Sequence, residues 1–128
     1  MIKILLIEDD LDDVELLEDA LQDNGISFEA EKINDGAAAI DYIRTCNNCP
    51  DLIILDFNLP KVHGRQIILE IKSISSFKDI PLLILTTSSA KEDVEYAYKN
   101  GADKYIIKPS TLDQIKEMVG EIVRLAEK

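Results

Sequence analysis

The chain has 128 residues, which is the size of one common domain and long enough to bury a hydrophobic core. Its 25 Asp and Glu residues outnumber 14 Lys and Arg residues, and the resulting net charge of -11 disfavours binding to nucleic acid or to anionic membrane surfaces. No apolar segment approaches the roughly 20 residues that a membrane span needs, and the N-terminus lacks the layout of a signal peptide, so we expect a soluble, cytoplasmic protein.

Four short apolar runs, and a fifth segment at 27–33 that charged residues interrupt, alternate with amphipathic segments along the chain. Such runs predict strands that are buried on both faces of a parallel sheet, and the segments between them predict helices. Strict alternation over five strand–helix units indicates an α/β fold with a doubly wound sheet, in a single domain over residues 1–128. In chain order, the predicted strands are 2–7, 27–33, 52–55, 82–85 followed by Thr86, and 104–107.

The helices are predicted from capping residues and from apolar stripes. Asp10 is placed to cap the first helix, with Asp13 in its first turn, and Gly25 is a left-handed stop for it. The fourth helix is predicted over Lys91–Lys99, and Gly120 should weaken the fifth by up to ~1 kcal/mol unless something packs closely there. The predicted inward-facing residues are Val14, Leu17 and Leu21, then Ala39, Ile40 and Ile43, then Ile67, Ile68, Ile71 and Ile74, and finally Leu112, Ile115, Val119 and Ile122.

Several of the strands end at residues that phosphoryl-transfer chemistry can use. Glu8 and Asp9 follow the first strand, Asp56 follows the third, Thr86 ends the fourth and Lys108 follows the fifth. Because ligands of parallel α/β sheets bind at the carboxyl ends of the strands, we expect these side chains to share one edge. Each residue alone also fits a cap, a turn or a strand end. Together they fit one cation such as Mg²⁺, one phosphate and one acidic nucleophile.

The two cysteines, Cys46 and Cys49, form a Cys-x-x-Cys pair. A redox pair usually lies where a strand enters a helix, whereas this pair falls at the far end of a helix, just before Pro50. A structural zinc site needs about four ligands, and the single histidine, His63, lies beyond the next strand. We therefore predict two reduced loop thiols, and we predict that His63 is a surface residue.

Five short motifs lie at or near the ends of the predicted strands. They are Ile-Glu-Asp-Asp at 7–10, Asp-Phe-Asn-Leu-Pro at 56–60 with Gly64, Leu-Thr-Thr at 85–87, Gly-Ala-Asp-Lys-Tyr at 101–105, and Lys-Pro at 108–109. With them, the whole chain resembles a response-regulator receiver domain of two-component signalling, similar to the chemotaxis regulator. It most resembles the stand-alone subgroup that is paired with phytochrome-type histidine kinases. The resemblance implies a flavodoxin-like sheet with strand order 2-1-3-4-5 and five helices.

The resemblance also implies a role for each residue at the strand ends. Asp56 would be the nucleophile and phosphoacceptor. Asp9 and Asp56 would bind Mg²⁺ together with the backbone carbonyl of Asn58, and Glu8 would hold a metal-bound water. A carboxylate is a poor nucleophile toward a charged phosphoryl group, so neutralisation by a metal and an ammonium would supply most of the catalysis.

Two further residues would contact the phosphate directly. Lys108 would pair with one phosphate oxygen and Thr86 would donate its hydroxyl to another. The peptide bond between Lys108 and Pro109 would resemble the cis peptide of the family, which aims the lysine inward. Thr87 departs from the alanine that often follows the switch hydroxyl, which would narrow access to the site.

The output is expected on one surface. Tyr105 stands at the position of the family's switch aromatic and would turn inward as Thr86 moves toward a phosphoryl group on Asp56. That movement would change the surface of the fourth helix, fifth strand and fifth helix, which suits a partner or a two-fold homodimer. The expected phosphodonor is a sensor histidine kinase, of phytochrome type, or a phosphotransfer protein, and no output domain is expected. The residues predicted on this surface are Tyr96, Tyr98, Lys99, Lys104 and Met118.

Other functions of the same architecture fit the sequence less well. A phosphatase with an aspartyl nucleophile typically needs a second acid two residues later, where this chain has Asn58. A flavin-binding domain needs Ser, Thr and Gly after its first strand, where this chain has Glu8 and Asp9. A degenerate receiver that is not phosphorylated is the remaining alternative, although every expected site residue is present.

Overall fold

The elements alternate between strand and helix throughout the computed structural model, which describes residues 1–59 and 62–127. Pro60, in the motif at 56–60, lies outside the described residues. All the predicted strands and helices are confirmed, with β2 beginning one residue later than predicted. In chain order the elements are β1 (Ile2–Ile7), α1 (Leu11–Asp23), β2 (Phe28–Ile33), α2 (Gly36–Thr45), β3 (Leu52–Leu55), α3 (Gly64–Ser73), β4 (Leu82–Thr86), α4 (Lys91–Lys99), β5 (Lys104–Ile107) and α5 (Leu112–Ala126).

The five strands form one parallel sheet in the order β2-β1-β3-β4-β5, as expected. Strand β1 pairs with both β2 and β3, so the direction in which the chain adds strands reverses beside β1. The carboxyl ends of β1 and β3 flank that reversal, and such a switch point is where ligands of doubly wound sheets bind.

Alternate residues of each strand enter different layers of the core. In β3, Ile53 and Leu55 pack with residues of α2, α3 and α4, whereas Leu52 and Ile54 pack with residues of α1 and α5. All four side chains are buried, because helices cover both faces of the sheet. Within the described residues, no helix is both long and apolar enough to cross a membrane.

Two predictions about helix α5 are wrong. Leu112 was expected to face inward but is 76% exposed, because it is the first residue of the helix, directly after the capping Thr111. Met118 was expected on the surface but is fully buried. Its position three residues after Ile115 and four before Ile122 puts it on the inward stripe of the helix.

The local signals at the helix ends act as predicted. The carboxylate of Asp10 accepts hydrogen bonds from the backbone N–H groups of Asp12 and Asp13, and Gly25 has a φ of 71° after α1. Gly120 lies inside α5, and none of the described atoms would come within 4 Å of a Cβ added there. Close packing therefore does not explain this glycine.

The cysteine pair lies at the C-terminal end of α2. Cys46 follows the last residue of the helix, and both Cys46 and Cys49 are free thiols. The Cys46 thiol contacts the carbonyl of Asn48, and the Cys49 thiol contacts the carbonyl of Ser76.

Candidate functional site

Three carboxylates meet at the carboxyl ends of β1 and β3. Oxygen atoms of Glu8, Asp9 and Asp56, one from each residue, lie within 4.8 Å of one another. The backbone N–H groups of Glu8 and Asp56 donate to the carbonyls of Ile33 and Ile7, so the sheet hydrogen bonding fixes both residues. Glu8 and Asp56 are buried while Asp9 is exposed. Three hard oxygen donors of this kind, open to water on one side, fit Mg²⁺.

Lys108 brings the balancing positive charge to the three acids. Its Nζ lies 2.8 Å from Glu8 Oε1 and 3.0 Å from Asp56 Oδ2. The expected cis peptide between Lys108 and Pro109 is wrong, because no peptide bond in 1–59 or 62–127 is cis. The side chain reaches Asp56 from the end of β5 with the trans bond, which is favoured by about 0.5–1 kcal/mol before proline.

Asp13 is part of this cluster, and sequence reasoning missed it. It was predicted only as an acid in the first turn of α1, but its Oδ2 lies 2.6 Å from Lys108 Nζ. One signal was available. Asp13 stands four residues before the buried Leu17 and seven before the buried Ala20, so it shares the inward stripe of the helix.

Burial and hydrogen bonding shift the pKa values of Glu8 and Asp56 in opposite directions. Burial raises the pKa of Glu8 to about 7, against the opposing hydrogen bond from Lys108. Burial also disfavours the charged form of Asp56, but hydrogen bonds from the Asn58 N–H, Lys108 and the Thr86 hydroxyl outweigh it and lower the Asp56 pKa. For Lys108, burial opposes the charge, but its carboxylate partners raise the pKa above the usual value. Asp56 and Lys108 are therefore both ionised at neutral pH.

The two predicted switch residues both connect to Ser88. The Thr86 side chain is fully buried, it helps to lower the Asp56 pKa, and its Oγ1 accepts from the Ser88 N–H at 3.4 Å. Tyr105 is half-buried, its ring lies edge-on to Phe57 with centroids 6.0 Å apart, and its hydroxyl donates to the Ser88 carbonyl at 2.8 Å. The tyrosine therefore occupies an inward position in this structure.

Asn58 and His63 hold the backbone around the site. The Asn58 N–H donates to Asp56 Oδ1 at 3.1 Å, which orients the carboxylate. His63 is exposed, as predicted, and it also caps α3, because its Nδ1 accepts from the Arg65 N–H at 3.0 Å. This capping role was not recognised from the sequence.

Comparisons with known proteins identify the family of this chain. A family model described as the response regulator receiver domain matches residues 4–120. The probable methanogenesis regulatory protein FilR2 of Methanothrix harundinacea is 36% identical over 93% of this chain and 79% of its own length. Response regulator Rcp1 of Synechocystis is 36% identical over 91% of this chain and 82% of its own length.

Solved structures agree as well. The phosphorylated cyanobacterial phytochrome response regulator RcpA superposes with a TM-score of 0.87 at 35% identity, over 99% of this chain and 94% of that chain. The Mn²⁺-bound form of Rcp1 gives a TM-score of 0.84 at 35% identity, over 95% of this chain and 91% of that chain. The sheet order, the acids at its switch point and these matches agree, and the chain belongs to the response regulator receiver domain family.

Proposed function

We propose that this protein is a cytoplasmic phosphorylation switch whose Asp56 takes a phosphoryl group from a phosphohistidine. The observation that carries the proposal is the environment of the Asp56 carboxylate. It is buried, it is kept ionised, and Lys108 Nζ lies 3.0 Å from its Oδ2. A phosphorylation-dependent switch is also what the family supports.

The transfer would exchange one phosphorus bond for another. An oxygen of Asp56 attacks phosphorus, the bond from phosphorus to the histidine nitrogen breaks, and that nitrogen keeps the electron pair. Lys108, which already contacts Asp56, and the buried Thr86 hydroxyl at the end of β4 would stabilise the negative charge on the moving phosphoryl group. Slow hydrolysis of the acyl phosphate would then end the signal, so the chain would assist both its phosphorylation and its dephosphorylation.

We infer that Mg²⁺ is the cofactor of this transfer. Glu8, Asp9 and Asp56 would hold it, joined by the backbone carbonyl of Asn58. When bound, the ion would neutralise charge between the carboxylate and the phosphoryl oxygens. The similar regulator Rcp1 has a Mn²⁺-bound form, which supports a divalent metal as a ligand of this chain.

Mg²⁺ should raise the melting temperature of the protein. The ion would relieve repulsion among three carboxylates that the fold holds together, and a ligand that binds only the folded state stabilises it by roughly 2.7 kcal/mol at a hundredfold excess over its dissociation constant. Thermal unfolding across a millimolar Mg²⁺ titration measures this. Asp9→Asn should lose most of the shift, whereas Asp12→Asn, which removes an exposed acid of the same helix end, should keep it. An unchanged melting temperature in wild type would contradict the proposal.

The proposed partner is a sensor histidine kinase, of phytochrome type, or a phosphotransfer protein. Support for the phytochrome assignment comes from the similar RcpA, which is a cyanobacterial phytochrome response regulator. The match to response regulator Rcp1, which covers 82% of that protein, supports a response-regulator role for this domain. Profiling phosphotransfer from the kinases of the source organism would identify the donor.

Phosphorylation should strengthen self-association through the surface formed by α4, β5 and α5. Tyr98 and Ile107 are exposed large side chains on this surface, and Ile107 lines a groove between β5 and α5. Met118 is removed from the predicted set because it is buried. Sedimentation with Mg²⁺, with and without beryllofluoride as a phosphoryl mimic, should show a larger species with the mimic. Identical profiles over a wide concentration range would contradict a homodimer on this surface.

A further inference from the structure

Asp93, in the first turn of α4, joins three segments beside the proposed phosphorylation site. Its Oδ2 accepts from the Ser88 hydroxyl at 2.6 Å, in the loop after β4. Its Oδ1 accepts from Nη2 and Nε of Arg65, at 2.7 and 3.3 Å, in the first turn of α3. The Asp93 side chain is 16% exposed and the Arg65 side chain is 40% exposed, so this ion pair is half-buried.

Arg65 is itself held in place, so it is a fixed anchor for Asp93. Its guanidinium lies 4.9 Å from the centre of the Tyr96 ring, and the Tyr96 hydroxyl donates to the Arg65 carbonyl at 3.3 Å. Its own N–H donates to His63, just before Gly64. Hydrogen bonds from Ser88 and Arg65 lower the pKa of Asp93, so the carboxylate keeps its charge at neutral pH.

Ser88 is the residue through which this anchor reaches the site. Its backbone N–H donates to the Thr86 hydroxyl oxygen at 3.4 Å, and its carbonyl accepts from the Tyr105 hydroxyl at 2.8 Å. The position of one residue therefore affects both predicted switch residues. If the loop lost its attachment to Asp93, the Thr86 hydroxyl and the Tyr105 ring would both lose a fixed neighbour.

We propose that Asp93 is a positioning residue for phosphorylation: it ties Ser88 to Arg65 and so holds the loop that orients Thr86 and receives the Tyr105 hydroxyl. The proposal rests on the function inferred above. A phosphoryl group on Asp56 is stabilised best when Thr86 is already oriented toward it. A contact that stabilises this loop arrangement therefore raises the apparent affinity of the protein for a phosphoryl mimic. Loss of Asp93 should lower that affinity without touching the metal ligands.

The affinity for beryllofluoride in saturating Mg²⁺, measured by calorimetry, tests this proposal. Asp93→Ala and Ser88→Ala should each bind the mimic about tenfold more weakly, a typical size for coupling between sites. The double variant should be no weaker than Asp93→Ala, because both changes break one connection. Ser88→Thr keeps the hydroxyl and should bind like wild type. Glu95→Gln, which removes an exposed acid of the same helix, should also bind like wild type.

Affinity for Mg²⁺ alone should be the same in all these variants. If Asp93→Ala or Ser88→Ala binds beryllofluoride as tightly as wild type, the proposal is wrong. It is also wrong if affinity for Mg²⁺ falls in parallel, because Asp93 would then act only on the general stability of the domain. A wild-type protein that binds no beryllofluoride would instead overturn the proposed function, and this inference with it.

Discussion

Phosphate incorporation from acetyl phosphate should fall to background when Asp56 is replaced by asparagine. The amide is a far weaker nucleophile than the Asp56 carboxylate, whose Oδ2 lies 3.0 Å from Lys108 Nζ. Incorporation of radioactive phosphate with Mg²⁺ measures the effect, and wild type without Mg²⁺ should also remain at background. Incorporation by Asp56→Asn at the wild-type rate would show that the phosphoacceptor is misassigned.

The same substitution should leave the fold intact, which separates loss of chemistry from loss of structure. Asparagine can still accept the Asn58 N–H. The carboxylate that it replaces has a lowered pKa, so its charge stabilises the fold, and the melting temperature without Mg²⁺ should fall while unfolding stays cooperative. Asp12→Asn serves as the control, since it removes a carboxylate from the exposed start of α1 and should keep wild-type incorporation.

Gly64→Ala should destabilise the domain strongly, by about 1–3 kcal/mol or more. A Cβ at Gly64 would lie 2.5 Å from the Phe57 Cα and 3.0 Å from the Asp56 carbonyl oxygen. These are backbone atoms, so no side-chain rotation can relieve the overlap. Moving them would also move Asp56, so the rate of phosphorylation should fall together with the free energy of unfolding measured in urea.

Gly120→Ala also replaces a glycine by alanine, but it should increase the free energy of unfolding. Space around Gly120 is open among the described atoms, and alanine favours a helix interior over glycine by about 0.5–1 kcal/mol. The variant should therefore unfold at a higher urea concentration than wild type and keep its phosphorylation rate. Equal unfolding curves for the two alanine variants would contradict the packing that the structure gives to Gly64.

The fold could be predicted because four of the five described strands are marked by apolar runs, and charged residues interrupt only β2. Leu52–Leu55 is apolar throughout, as a strand covered on both faces must be, and Asp10 and Gly25 mark the ends of the first helix. Single positions at helix ends were harder, since periodicity alone cannot distinguish an exposed first residue from an inward one. Leu112 was misplaced for this reason, and its exposure follows from the cap beside it.

The site could be predicted only in part. The residues that end strands were found because the topology brings strand ends together, whichever side chains they carry. Contacts made by helix residues across the fold could not be found in this way. The contact of Asp13 with Lys108 and the contacts of Asp93 depend on how α1, α3 and α4 lie against the loops. The sequence alone gives no reason to expect them, because capping already explains a charged residue in a first helical turn.

The carboxylates around the Lys108 ammonium limit what else it can bind. An ammonium group has three hydrogens, and three carboxylate oxygens, from Glu8, Asp13 and Asp56, already lie 2.6–3.0 Å from the nitrogen. A phosphate oxygen can therefore be accepted only by replacing one of them. Attachment of phosphorus to Asp56 removes charge from that carboxylate and weakens it as an acceptor. The Lys108 N–H that had donated to Asp56 can then donate to a phosphoryl oxygen on the same side chain. Glu8 and Asp13 keep the nitrogen in place meanwhile, so this exchange of acceptors requires almost no movement of Lys108.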